Sequence, residues 1–199
     1  MTSSTHGSDG LGWRTVDILV AAVVSGAFGV VFVAWNALWA FATPLFVALP
    51  PAQAILYGVW LLPGVLVALI VRRPGAALFA GIVSASVSAF IGSQWGGDAI
   101  LSGLLQGGGA ELAFALGAYR RWTLPWAVLA GVLAGLGAAI HDVIVYYATL
   151  GSGFWTIYAA GTMLSGALIA GIGGWLLVRA LTATGVLAPF EAGREQRQV

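Results

Sequence analysis

Residues 16–41, VDILVAAVVSGAFGVVFVAWNALWAF, decide what kind of molecule this is. The stretch is 26 residues long and carries one ionisable side chain, Asp17. A hydrocarbon core of about 30 Å needs roughly 20 apolar residues in helical form, so this segment is long enough to span a bilayer. It is too long for the apolar core of a cleaved signal peptide, and it is expected to be retained. Five further apolar segments follow, at about 53–71, 75–93, 98–119, 124–149 and 155–181. None shows the two-residue alternation of a membrane β-barrel. The expected fold is therefore all-α: a polytopic membrane protein with six transmembrane helices in one domain over 13–183. Residues 1–12, rich in Ser, Thr and Gly, read as a disordered tail, and residues 184–199 as a second tail.

Composition supports the same class. Of 199 residues, 60% are hydrophobic and 8% charged, against roughly 25% charged in soluble domains. Several chemistries are excluded outright. The chain has no Lys, so a Walker A lysine and a Schiff-base lysine are impossible. It has no Cys, which removes disulfides, thiolate catalysis and Cys-ligated metals. Two His occur without H-E-x-x-H spacing, and no metal cluster or nucleophile–base pattern is visible, so neither an enzyme nor a cofactor is expected. A net charge of +1 gives no reason to propose nucleic acid.

The arginines set the orientation. Arg14 precedes the first segment, Arg72 and Arg73 join the second to the third, and Arg120 and Arg121 join the fourth to the fifth. Arg179, Arg194 and Arg197 fall at the end. Six crossings put all of these on one side, and the positive-inside rule makes that side, with both termini, cytoplasmic. The opposite loops contain no Arg. One of them, Thr43–Ala52 (TPLFVALPPA), is apolar and proline-rich, and is expected to fold over the outer mouth as a cap.

Small residues recur at helix-packing spacing, as in Ala21-xxx-Ser25-xxx-Gly29 and Ala127-xxx-Gly131-xxx-Gly135. Such stripes let helix backbones approach where lipid supplies no hydrophobic drive. The first stripe either packs inside the bundle or docks another membrane protein.

Polar groups within a bilayer are costly and usually functional. At about 1.5 Å per residue, Gln106 lies about 12 Å and Glu111 about 20 Å below Asp98, which sits at the outer mouth. His141 and Asp142 lie in the outer half of the fifth segment. Trp35, Asn36, Trp39, Tyr57, Trp60, Gln94, Trp95 and Tyr146 sort to the same outer half, with Tyr147, Trp155 and Tyr158 nearby. Interfacial anchoring accounts for some of these rings, Trp155 among them. An outer pocket with aromatic walls and carboxylates suits a flat, cationic or amine-bearing solute.

The set Val33-Ala34-Trp35-Asn36, Gln94-Trp95-Gly96-Gly97, Gln106-Gly107-Gly108-Gly109-Ala110-Glu111-Leu112 and His141-Asp142 resembles the substrate-binding S component of energy-coupling-factor (ECF) vitamin transporters. The resemblance is to the thiamine and hydroxymethylpyrimidine branch, over about residues 13–183. It implies a vitamin in an outward-facing pocket of a multi-pass protein of the prokaryotic plasma membrane. It also implies a separate membrane T component and two cytoplasmic ATPases as partners. By the same resemblance, Ala21, Ser25 and Gly29 would dock the T component. Glu111, Gln106, His141 and the aromatics would hold the aminopyrimidine, while Asp142 or Asp98 faces the thiazolium. Two other readings compete: a self-sufficient carrier using Glu111, His141 and Asp142 as a proton relay, and a scaffold whose polar residues only join helices.

Overall fold

The computed structural model describes residues 12–195; of the expected 1–12 tail, all but Gly12 lies outside the described residues, as does Arg197. The described chain is helical throughout, without strands. Its helices are α1 (Thr15–Ala42), α2 (Gly58–Val71), α3 (Ala76–Ile91), α4 (Asp98–Leu116), α5 (Leu124–Val145), α6 (Gly151–Ser165), α7 (Gly174–Ala183) and a short α8 (Glu191–Glu195). An eight-residue π-helix, Gly166–Gly173, joins α6 to α7 in one rod. Five segments are long and apolar enough to cross a membrane: Thr15–Phe46, Pro50–Val71, Asp98–Leu116, Leu124–Val145 and Gly151–Ala183. The sixth apolar helix, α3, has 16 residues and rises about 24 Å, short of a full hydrocarbon core.

Burial separates a central helix from a peripheral one. In α2, 11 of 14 residues are buried, which fits its unbroken apolar sequence. In α1 the buried positions Asp17, Ala21, Ser25, Gly29, Phe32 and Asn36 trace one stripe at three- and four-residue spacing. That stripe packs on α3: a Cβ at Gly29 would collide with the side chain of Val87 and the carbonyl of Ser84. Ala21, Ser25 and Gly29 therefore face the interior, and the structure corrects the expectation that they form an outward docking surface. Glycine permits the closest approaches elsewhere. A Cβ on Gly131 of α5 would strike the carbonyl oxygen of Gly166, and one on Gly166 would strike that of Gly131, so the backbones meet directly.

The apolar loop after α1 forms two 3₁₀ turns, Thr43–Phe46 and Pro50–Leu56. The Gln53 amide pins it by donating to the Trp39 carbonyl at 2.9 Å and to Thr43 Oγ1 at 3.0 Å. Its second turn packs on α6, where Ala54 lies against Gly161.

The arginine end is tied by ion pairs. Asp17, fully buried, takes Arg14 at 2.7 Å and Arg73 at 3.4 Å, and Arg73 also reaches Glu191 at 3.3 Å. The hydrogen bond to Asp17 raises the pKa of Arg14. The Trp13 indole donates to the Pro74 carbonyl at 2.8 Å. Residues after α7 fold back onto this end with Leu187, Phe190 and Ala192 buried, so the stretch expected as a tail is packed as far as α8.

Candidate functional site

A cavity of about 280 Å³ opens at the end of the bundle opposite the arginines. Every helix from α1 to α6 contributes, because the last turns of α1, α3 and α5 and the first turns of α2, α4 and α6 meet there.

One wall is aromatic. Trp60 is the hub, with ring centroids 5.0 Å from both Trp39 and Tyr57 and 5.4 Å from Trp95, the last edge-on at 89°. Edge-to-face geometry at these distances suits the ring quadrupoles. The Trp60 indole donates to Asn36 Oδ1 at 3.1 Å, and the Asn36 amide reaches Ser88 and Ser93 Oγ at 3.4 Å each. This chain holds the Trp60 plane.

The facing wall is polar. His141 Nδ1 lies 2.7 Å from Asp142 Oδ1 and its Nε2 lies 3.2 Å from Asp98 Oδ1. The second oxygen of each carboxylate takes a phenol: Tyr158 donates to Asp142 Oδ2 at 2.5 Å, and Tyr146 donates to Asp98 Oδ2. Two acids, one imidazole and two phenols thus form a continuous network. Tyr146 and Tyr147 follow the end of α5. Burial pushes both phenols up, reinforced by Asp98 at Tyr146 and by Asp142 at Tyr147, so both remain donors.

Deeper in, Gln106 donates to Ser102 Oγ at 2.6 Å and Tyr57 Oη at 3.3 Å, joining the two walls. No arginine lines the cavity, and its charged side chains are Asp98, Asp142 and the titratable His141. Such a space attracts a cation and repels an anion.

Ten of the sequence-selected residues meet here: Asn36, Trp39, Tyr57, Trp60, Trp95, Asp98, Gln106, His141, Asp142 and Tyr146. Three do not line the cavity. Trp35 turns aside and donates to the Leu56 carbonyl at 3.1 Å. Gln94 is exposed in the turn before α4. Glu111 is the main correction. Its carboxylate accepts the backbone N–H groups of Gly75 at 2.5 Å and Ala77 at 2.9 Å, and the Tyr119 hydroxyl at 2.8 Å. Glu111 therefore satisfies the first amides of α3, where its charge also complements the helix dipole. Burial and the Glu111 carboxylate push the Tyr119 phenol up to about 12.

The structure adds Phe32, Ser88, Ser93 and Ser102 to the lining, together with Tyr147 and Tyr158, which the sequence placed nearby. Ser102 was visible in principle, since Asp98, Ser102 and Gln106 repeat every four residues on one helix face.

Comparison with known proteins gives concordant relatives. The family described as "ABC-type cobalt transport system, permease component" matches residues 16–137. The chain is similar to a Bacillus subtilis (strain 168) protein named HMP/thiamine permease protein YkoE, with 32% identity over 187 residues, 94% of this chain and 93% of that one. It is also similar to a solved structure described as an S-component of ECF transporter, with a TM-score of 0.88, 32% identity and 94% of each chain covered. Among the described residues, no three His, Cys, Asp or Glu are grouped to hold a metal ion.

Proposed function

The chain belongs to the S components of ECF transporters, and from that membership we propose that its cavity binds thiamine or its hydroxymethylpyrimidine precursor for ATP-driven uptake. It is a transport component of a multi-pass membrane protein family and not an enzyme. The observation that carries the ligand assignment is the pairing of the Trp39–Tyr57–Trp60–Trp95 wall with the Asp98–His141–Asp142 wall across a cavity free of arginine. Aromatic faces stack on a flat heterocycle and stabilise a positive ring. The carboxylates accept from an amino group or balance a cationic one.

In this reading all six apolar segments cross the prokaryotic plasma membrane, with α3 as the short crossing. The arginine end and both termini are cytoplasmic, by the positive-inside rule, and the cavity faces outward. A T component in the membrane and two cytoplasmic ATPases supply the energy. Because Ala21, Ser25 and Gly29 pack on α3, docking falls to the neighbouring open side of α1. There Ala22 and Ala27 are exposed and a Cβ on Gly26 would meet nothing within 4 Å.

The proton-carrier reading needs a polar path through the bundle. The titratable network of the cavity has no described continuation past Gln106, and Glu111 is committed to the amides of α3. This favours a binding subunit.

The test is titration of the purified chain in detergent with thiamine and with hydroxymethylpyrimidine, followed by tryptophan fluorescence. Saturable quenching that Trp60→Phe alters and Glu111→Gln does not is the expected result. A folded sample that responds to neither compound sinks the ligand assignment.

A further inference from the structure

Among the described residues that line the outer cavity, His141 is the one side chain able to carry a positive charge, and it is buried between two carboxylates. A neutral imidazole offers one donor and one acceptor. Here both ring nitrogens face acceptors: Nδ1 lies 2.7 Å from Asp142 Oδ1, and Nε2 lies 3.2 Å from Asp98 Oδ1. Whichever nitrogen carries the single proton of the neutral ring, the other sets its lone pair against a carboxylate oxygen. A second proton on the ring removes that clash.

The remaining ionisable neighbours do not supply it. Tyr158 of α6 and Tyr146 after α5 donate to the far oxygens, Oδ2 of Asp142 and of Asp98, and stand outside the contact between ring and acid. Tyr146 also meets the imidazole edge-on, at 5.9 Å and 75°. Tyr147 and, ahead of α2, Tyr57 complete the ionisable lining, while α1, α3 and the body of α2 contribute none among the described residues.

The two acids differ in access. The Asp142 side chain is 8% exposed, with both oxygens engaged inside the wall, whereas that of Asp98 is 30% exposed at the mouth. A cation entering the cavity therefore reaches Asp98, the acid that also faces Nε2. Two positive charges on one carboxylate repel each other where water is scarce.

We propose that the ligand's positive charge and the second proton of His141 compete for Asp98, so that the site selects a permanently cationic heterocycle over a neutral one by giving up a proton. This rests on the ligand reading above and narrows it. Thiamine carries a fixed thiazolium charge and exchanges for the proton; hydroxymethylpyrimidine has no permanent charge and does not. On binding, the Nε2–H bond breaks, the proton leaves to water at the cavity mouth, and Asp98 turns to the ligand. Asp142 acts as a positioning residue that keeps the remaining proton on Nδ1.

The sequence has two histidines, His6 and His141, so the full-length His6→Gln chain labelled with nitrogen-15 histidine reports His141 alone by nuclear magnetic resonance in detergent. At about pH 7 the empty protein should show both ring nitrogens protonated, and the thiamine complex only one. Calorimetric titration in buffers of different ionisation enthalpy should count about one proton released per thiamine and none per hydroxymethylpyrimidine. Thiamine affinity should then rise about tenfold per pH unit around neutrality. His141→Gln should abolish the release and flatten that profile, while Glu111→Gln, an acid outside the cavity, leaves the count unchanged. A singly protonated ring in the empty protein, thiamine binding without release, or equal release by both compounds overturns this inference and leaves the ligand reading standing. Binding of neither compound removes both.

Discussion

At the arginine end, Asp17 is buried between Arg14 and Arg73, and Glu111 is clasped by the amides of α3. At the opposite end, Asp98 and Asp142 are bridged by His141 and capped by Tyr146 and Tyr158, beside open space. All four are acids within or near the apolar bundle, so depth alone does not separate them. Their partners do. The first pair meets groups with an opposite charge or an unmet backbone donor, which completes a structure. The second pair meets phenols and an imidazole beside open space, which in the proposed reading leaves negative charge for a ligand to balance.

The sharpest way to break this contrast is Asp142→Asn. It keeps the shape while removing charge beside the cavity, and should weaken binding of a cationic ligand by about a hundredfold in the fluorescence titration. If affinity survives and only the thermal midpoint falls, Asp142 belongs with Asp17 as a structural acid. Glu111→Gln should do the reverse. It removes charge from a cluster of backbone donors, lowering stability by about 1–3 kcal/mol in thermal unfolding and leaving ligand affinity within about twofold. The smallest effect is expected from Tyr119→Phe. One hydrogen bond to Glu111 is lost while the amides remain, for about 1 kcal/mol of stability and unchanged titration.

Some of this was legible from the residues in order. The long apolar segments predicted the helices, because no other backbone arrangement of that length satisfies itself in lipid. Depth was likewise readable, at a fixed rise per residue. Direction toward a particular neighbour was not. Gly103, Gly107 and Glu111 share a helix face, and that face meets α3, whose start offers a glycine and no side-chain cap. Trp35 and Trp39 stand one turn apart, but only Trp39 points into the cavity, while Trp35 meets the loop carbonyl of Leu56. The stripe Ala21, Ser25 and Gly29 had the right period and an internal partner. The serines were overlooked because a small hydroxyl at helical spacing reads equally as packing.

The π-helical stretch Gly166–Gly173 has a consequence for how the two ends of the last span are phased. Tyr158, before it, lines the outer cavity, and Trp175 and Arg179, after it, line a second cavity at the arginine end. A helix advances about 100° per residue, so the wider winding of eight residues sets the azimuth at which the second half leaves the first. Deleting a single residue there would turn one end against the other like a mis-set gear. The span thus acts as a coupling shaft whose angular offset is written in a short glycine-rich sequence.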